Sequence, residues 1–331
     1  MQPIKGVGLL LKISQYEIRG QWIGLLGGIL WGVNTIIIGI ILSCSIFKDY
    51  IFIAPLISTF LHDAFSSIWM IFHTLLFKRT HQLKQSLKSR DGKVVIIAAL
   101  LGGPIGMSGF MLSINFIGPS YTAIISAIYP AVGSFLSFLF LKEKVTKKNI
   151  IGLSLAIIAT ISLGLTSQEE PQNLILGLSC ALLCVLGWGS ESVISAYGMK
   201  NDVLPSIALQ IRQTVSAIVY GFLIVPIIGG IPLVKLVLQD FTIILFALTA
   251  LAGTASYLFY YTSINRVGPI KAMGLNISYS AWAVLFGLLL GFEAGVKEFL
   301  LALLIITGSI LTTNNPKEFF TIISFKRGLK I

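Results

Sequence analysis

The sequence predicts an all-α polytopic membrane protein with ten transmembrane helices in two inverted-topology repeats of five. Three observations predict it. Of 331 residues, 55% are hydrophobic and 11% charged, with a mean hydropathy of +0.90, whereas a soluble domain carries about 25% charge. The apolar residues form continuous runs of the length that spans a bilayer, not the short alternating strands of a membrane barrel. Two halves of the chain also match at a constant offset. These features exclude a water-soluble enzyme and a disordered chain.

Apolar runs bounded by charge or by Gly/Pro place the spans at 20–43, 51–77, 93–115, 119–141, 149–167, 174–198, 203–229, 241–264, 269–290 and 296–313. They divide the chain into a cytoplasmic N-terminal segment (1–19), a first repeat (20–167), an external linker (168–173), a second repeat (174–313) and a basic cytoplasmic tail (314–331). The N-terminal segment has no short apolar region followed by a small-residue cleavage site, so no removable signal is expected.

The net charge of +11 is expected to set topology, not to bind nucleic acid. With the N-terminus inside, 20 of the 24 Lys and Arg residues fall on the cytoplasmic side and only Lys48, Lys235 and Lys297 outside, with Arg212 left within a span. This bias predicts that both termini are cytoplasmic. Cys44, Cys180 and Cys184 lie in or beside apolar segments without metal-ligand spacing, and are expected to be small buried apolar residues. No metal or cofactor is expected.

The offset is 150 residues. Ile114-Asn115-Phe116-Ile117-Gly118-Pro119 recurs as Ile264-Asn265-Arg266-Val267-Gly268-Pro269. The same register pairs Pro55 with Pro205, Gly103 with Gly253, Tyr129 with Tyr279 and Glu143 with Glu293, while Trp31-Gly32 matches Trp188-Gly189 at 157. A repeat of five spans is odd, so the second copy is inverted. Secondary transporters use that architecture to build two related faces around a midplane site.

Ionisable groups inside spans cost roughly 3 kcal/mol or more to insert and therefore mark function or mutual pairing. His62 and Asp63 fall in the second span, Glu191 in the sixth and Arg212 in the seventh. Arg212 pairing with Asp63 or Glu191 is the structural alternative to a substrate role. Trp188, Glu191 and Ser195 share a helix face. Trp31 with Asn34, Tyr257 with Tyr260 and Tyr261, and Asn276 with Tyr279, Trp282 and Phe286 form further stripes. A carboxylate beside aromatic faces suits a quaternary ammonium, which has no N–H to donate and is held by ring quadrupoles at about 0.5–2 kcal/mol each. An amino acid would instead need a cation such as Arg212 for its carboxylate. The pairs Gly28/Gly32, Gly102/Gly106 and Gly287/Gly291 have the spacing that permits close helix contact.

Trp31-Gly32 in the first span, Pro130 in the fourth and Leu141-Lys142-Glu143-Lys144 before the fifth resemble the drug/metabolite transporter superfamily, EamA type. His62-Asp63, Gly103-Pro104-Ile105-Gly106-Met107, Ala127-Ile128-Tyr129-Pro130-Ala131, Trp188-Gly189-Ser190-Glu191-Ser192-Val193, Ile211-Arg212-Gln213, Ile264-Asn265-Arg266 and Gly274-Leu275-Asn276-Ile277-Ser278-Tyr279 resemble its LicB-type branch of bacterial choline importers. The resemblance implies proton-coupled choline uptake across a bacterial cytoplasmic membrane, by a monomer or homodimer. The expected substrate contacts are Glu191, Trp188, Trp31, Tyr257, Tyr261, Tyr279, Trp282 and Asn276. Asp63, His62 and Arg212 are the expected proton-coupling network. The alternative in the same fold is an exporter of amino acids or other small metabolites. A membrane-embedded enzyme is disfavoured, because no paired-aspartate metal motif or phosphate-binding loop is present.

Overall fold

The computed structural model describes residues 5–165, 172–201, 203–291 and 295–313, the side chains of 5–14, 119 and 120 aside. The expected linker lies largely, and the expected tail almost wholly, outside the described residues. Among the described residues the chain is helical and contains no strand.

The helices follow in order as α1 (Lys5–Leu42), α2 (Ala54–Leu76) and α3 (Thr80–Lys88), then α4 (Arg90–Gly118), α5 (Tyr121–Leu141), α6 (Lys147–Gly164), α7 (Leu174–Gly198) and α8 (Pro205–Ile227). A short α9 (Ile231–Leu238) precedes α10 (Thr242–Val267), α11 (Pro269–Leu289) and α12 (Val296–Leu311). Eight of these are long and apolar enough to cross a membrane, and α2 with α3, bent by 117° at their junction, makes a ninth candidate. The chain is therefore a multi-pass membrane protein. The last expected span, α12, is 16 residues long. At 1.5 Å per residue it reaches about 24 Å, short of a bilayer core of about 30 Å.

Most expected spans coincide with a helix to within a few residues, but α1 begins far earlier than residue 20. Lys12, Glu17 and Arg19 end the apolar run there without ending the helix, since Lys, Arg and Glu are good helix formers. Between α2 and α4 the basic stretch expected to be a loop folds into α3, entered through Lys78 at φ 54°.

Two special joints are shared by distant parts of the chain. Gly118 (φ 81°, ψ 161°) and Gly268 (φ 84°, ψ 159°) each precede a proline, in backbone territory open essentially to glycine alone. Each following helix is then broken once more, and Tyr129 and Tyr279 open the next helical stretch. Packing is pairwise: α1 lies along α10, the Ser108–Ser126 stretch along α7, α6 along α12, and α2 along α8. Three stretches, Leu101–Met107, Ser137–Leu141 and Tyr220–Ile224, are wound as π-helix, which often accompanies functional sites. The first of them sits against Glu191.

Of the three cysteines only Cys184 is buried. Cys44 and Cys180 are partly exposed, and all three are free thiols.

Candidate functional site

Four ionisable side chains from three helices meet inside the bundle. Arg212 on α8 is 0% exposed and Asp63 on α2 1%, with His62 at 4% and Glu191 on α7 at 6%. The guanidinium bridges both acids: Nε donates to Glu191 Oε1 at 3.2 Å, and Nη1 donates to Asp63 Oδ1 and Oδ2 at 3.3 and 3.2 Å. Nη1 also donates to Gln213 Oε1 at 2.7 Å, and Nη2 to the Tyr257 hydroxyl at 3.1 Å. Asp63 accepts a further bond from Ser216 Oγ at 2.6 Å and faces His62 Nδ1 at 3.2 Å. Glu191 Oε1 accepts from the Tyr261 hydroxyl at 2.8 Å. Arg212 thus takes the pairing that the sequence offered as the alternative to a substrate role, and takes it with both acids, because a bare carboxylate in lipid is costly unless matched and hydrogen-bonded. The cluster thus sets two carboxyl groups, Asp63 and Glu191, against one guanidinium.

The cluster borders a cavity. A space of about 460 Å³ is lined by Trp31, Tyr129, Trp188, Tyr257, Tyr260 and Tyr279, together with Glu191, Ser192, Ser256 and Asn276. The rings lock one another edge-on. Trp31 stands T-shaped to Tyr257 at 5.0 Å and to His62 at 6.0 Å, and Trp188 stands T-shaped to Tyr129 at 5.7 Å. Tilted against Phe110 at 5.1 Å, Trp188 also rests on Gly106. Asn276 Nδ2 donates to the Tyr129 hydroxyl at 3.1 Å, and Ser192 Oγ meets the Tyr260 hydroxyl at 2.7 Å.

Six of the eight residues expected around the substrate therefore surround one space: Glu191, Trp188, Trp31, Tyr257, Tyr279 and Asn276. Two lie off it. Tyr261 donates to Glu191 and accepts from Ser195 Oγ at 3.4 Å. Trp282 lies against Gly32 and tilts on Phe286 at 6.3 Å. Asn34, grouped with Trp31, instead accepts from Thr249 Oγ1 at 2.9 Å. Sequence reasoning missed Tyr129, Tyr260, Ser192 and Ser256 as lining residues. The signal for Tyr129 was present, since it pairs with Tyr279 at the 150 offset, and Tyr260 was in the right stripe. Among the described residues no group of His, Cys, Asp and Glu could hold a metal ion.

Residues 18–165 match the EamA-like transporter family. Over 296 residues, the chain is 31% identical to protein LicB of Haemophilus influenzae, a match covering 89% of this chain and 97% of that protein. The chain belongs to the EamA-like transporter family. It is a membrane transporter by family, and its resemblance to LicB extends over nearly the whole length of both. One protein of known crystal structure superimposes with a TM-score of 0.68 at 16% identity, covering 89% of this chain and 97% of that one, which supports the shared fold alone. In this family member the aromatic cavity and the buried Arg212 cluster lie side by side.

Proposed function

We propose that this transporter imports choline by alternating access, with proton coupling, across a bacterial cytoplasmic membrane with both termini inside. The observation that carries the reading is Glu191: its carboxyl belongs to a cluster of two acids on one guanidinium and lines a cavity whose wall also holds six aromatic rings. Trp31, Trp188, Tyr257 and Tyr279, with Tyr129 and Tyr260, would hold the methylated ammonium by their faces, each ring contributing about 0.5–2 kcal/mol. Asn276 would stay available to the substrate's hydroxyl. Tyr261 would act by positioning Glu191.

Alternating access follows from treating the chain as two inverted repeats of five spans. The matching Gly118 and Gly268 joints and the paired breaks before Tyr129 and Tyr279, each 150 residues apart, support that treatment. An inside-negative potential of 100 mV contributes about 2.3 kcal/mol to a monovalent cation, or roughly fifty-fold accumulation. Coupling to a proton would add to this through Asp63 and His62. Arg212 is shared by both acids, so a proton on the Asp63 side alters how the guanidinium is divided between Asp63 and Glu191. Proton and cation are then co-transported only if Arg212 leaves Glu191 when both are loaded.

An amino-acid exporter would need a free cation for the substrate carboxylate. Arg212 is engaged by Glu191, Asp63, Gln213 and Tyr257, which disfavours that alternative. The test is radiolabelled choline uptake into proteoliposomes with voltage and pH gradients imposed independently. Uptake should follow an inside-negative potential, increase with an inside-alkaline gradient, and fall at least tenfold in Glu191→Gln. Wild-type uptake in Glu191→Gln would overturn the assignment.

A further inference from the structure

A second cavity, of about 870 Å³, opens where the last turn of α2, the start of α8, the early part of α1 and the end of α10 converge. It shares no residue with the aromatic cavity; the consecutive residues Tyr257 and Leu258 of α10 face the two spaces separately. Its walls are graded. Arg79, Ser206, Asn265 and Arg266 stand near helix ends with Tyr16 of α1 beside them, while Ile23, Leu258 and Phe259 lie about two turns further along α1 and α10. From Tyr16 to Ile23 along α1 is about 10 Å and from Leu258 to Arg266 along α10 about 12 Å, the depth of a headgroup and the first carbons beneath it.

Two guanidinium groups dominate the mouth. Arg79 Nη1 donates to Ser206 Oγ at 2.7 Å, and Arg79 lies over the Phe77 ring at 5.5 Å. Arg266 lies over the Tyr16 ring at 4.9 Å. Neither makes an ion pair among the described residues, and no acid lines the cavity. Each ring fixes its guanidinium in place and leaves most of its N–H donors for another acceptor. The positive mouth would repel a cation, so it is unsuited to the substrate's own route. Arginine pairs of this kind match the oxygens of a phosphate, and basic pockets between spans hold anionic lipid headgroups.

We propose that this cavity binds an anionic phospholipid, its phosphate between Arg79 and Arg266 and its first carbons against Ile23, Leu258 and Phe259. The apolar floor selects a lipid over free phosphate, which would leave that surface unmatched. Occupancy ties the ends of α2, α8 and α10 to α1 at the membrane face richest in basic residues.

The experiment is a thermal-unfolding titration of the full-length protein in detergent with phosphatidylglycerol, phosphatidylethanolamine or inorganic phosphate. None of these carries a quaternary ammonium, so the test stands apart from the test of transport. Phosphatidylglycerol should raise Tm saturably and phosphatidylethanolamine should not. Arg79→Gln and Arg266→Gln should each shift the midpoint roughly five-fold higher, and the double variant roughly thirty-fold. If the double variant fails to fold, the two single variants carry the test. Wild-type midpoints in the variants, or equal effects of the two lipids, would overturn the proposal. An arginine-dependent rise with inorganic phosphate equal to that with phosphatidylglycerol would overturn the lipid assignment in favour of free phosphate.

Discussion

The carboxylate of Glu191 on α7 rests directly against Gly102 in the π-wound part of α4, with no room for even a methyl group between them. The approach leaves Glu191 Oε1 on Arg212 and Tyr261, and keeps the acid at the cavity wall. Gly102→Ala must therefore move the acid. Overpacking of this sort costs about 1–3 kcal/mol of stability, so Tm should fall, and choline affinity should fall more than twofold because the acid leaves its place at the wall, with helix content unchanged by circular dichroism. Affinity within twofold of wild type, measured by calorimetry, would show that the acid's placement does not matter.

Arg212 is buried between two acids, and its removal should be far more costly than the removal of all three charges. Breaking a buried ion pair on one side costs about 3–5 kcal/mol, while replacing the whole set by neutral groups is often close to neutral. Arg212→Met should lose stability by about that amount in chemical denaturation, and adding Asp63→Asn and Glu191→Gln should restore most of it. Additive losses across the three substitutions would mean that the groups do not act as a unit.

Glu143 offers a pH test outside the spans. It lies between α5 and α6, accepts from Ser137 Oγ at 2.5 Å and reaches toward the Ile270 N–H at 3.5 Å beside the Gly268 joint. Burial raises its carboxyl above the ordinary value, outweighing the hydrogen bond from Ser137, which favours the charged form. The folded state thus holds this proton more tightly than the unfolded state. That stabilisation is complete below the ordinary pKa and is lost as pH rises through the raised one. Relative to Glu143→Gln, the wild-type Tm should decline as pH rises above the ordinary glutamate value of about 4.3. A flat difference would place the carboxyl in water.

Much of this was legible because apolar run length and helix length answer to one constraint in lipid, the need to satisfy every backbone group internally. The expected 174–198 is α7 to the residue. Where the two diverged, as in α1, a charged turn ended the hydrophobic run and the helix ran on. At the site, residue type was informative and helix rotation was not. Tyr257, Tyr260 and Tyr261 lie within 1.2 turns of one another, so sequence could not tell that Tyr260 lines the cavity while Tyr261 turns to Glu191. That choice is made by the packing of α10 against α1, α2 and α7. The pairing of Arg212 with both acids was equally a matter of three helices meeting.

Replacing rings separates a cage from ordinary packing. Trp188 and Trp31 border the cavity, whereas Trp282 sits off it against Gly32. If the rings hold a cation by their faces, Trp188→Leu and Trp31→Leu should each weaken choline binding by about 2- to 30-fold, the equivalent of about 0.5–2 kcal/mol. Trp282→Leu should change affinity less than twofold, although its large-to-small change lowers Tm. The neutral isostere 3,3-dimethylbutan-1-ol distinguishes charge from shape, since it keeps the three methyl groups and the hydroxyl. Wild type should prefer choline to it by at least tenfold, and the Trp188 and Trp31 variants should reduce that preference. Equal affinity for the two ligands in the wild type would mean that the rings and Glu191 supply an apolar fit and no electrostatic hold. A Trp282→Leu loss as large as that of Trp188→Leu would mean that general repacking, not contact with the ligand, sets the affinity.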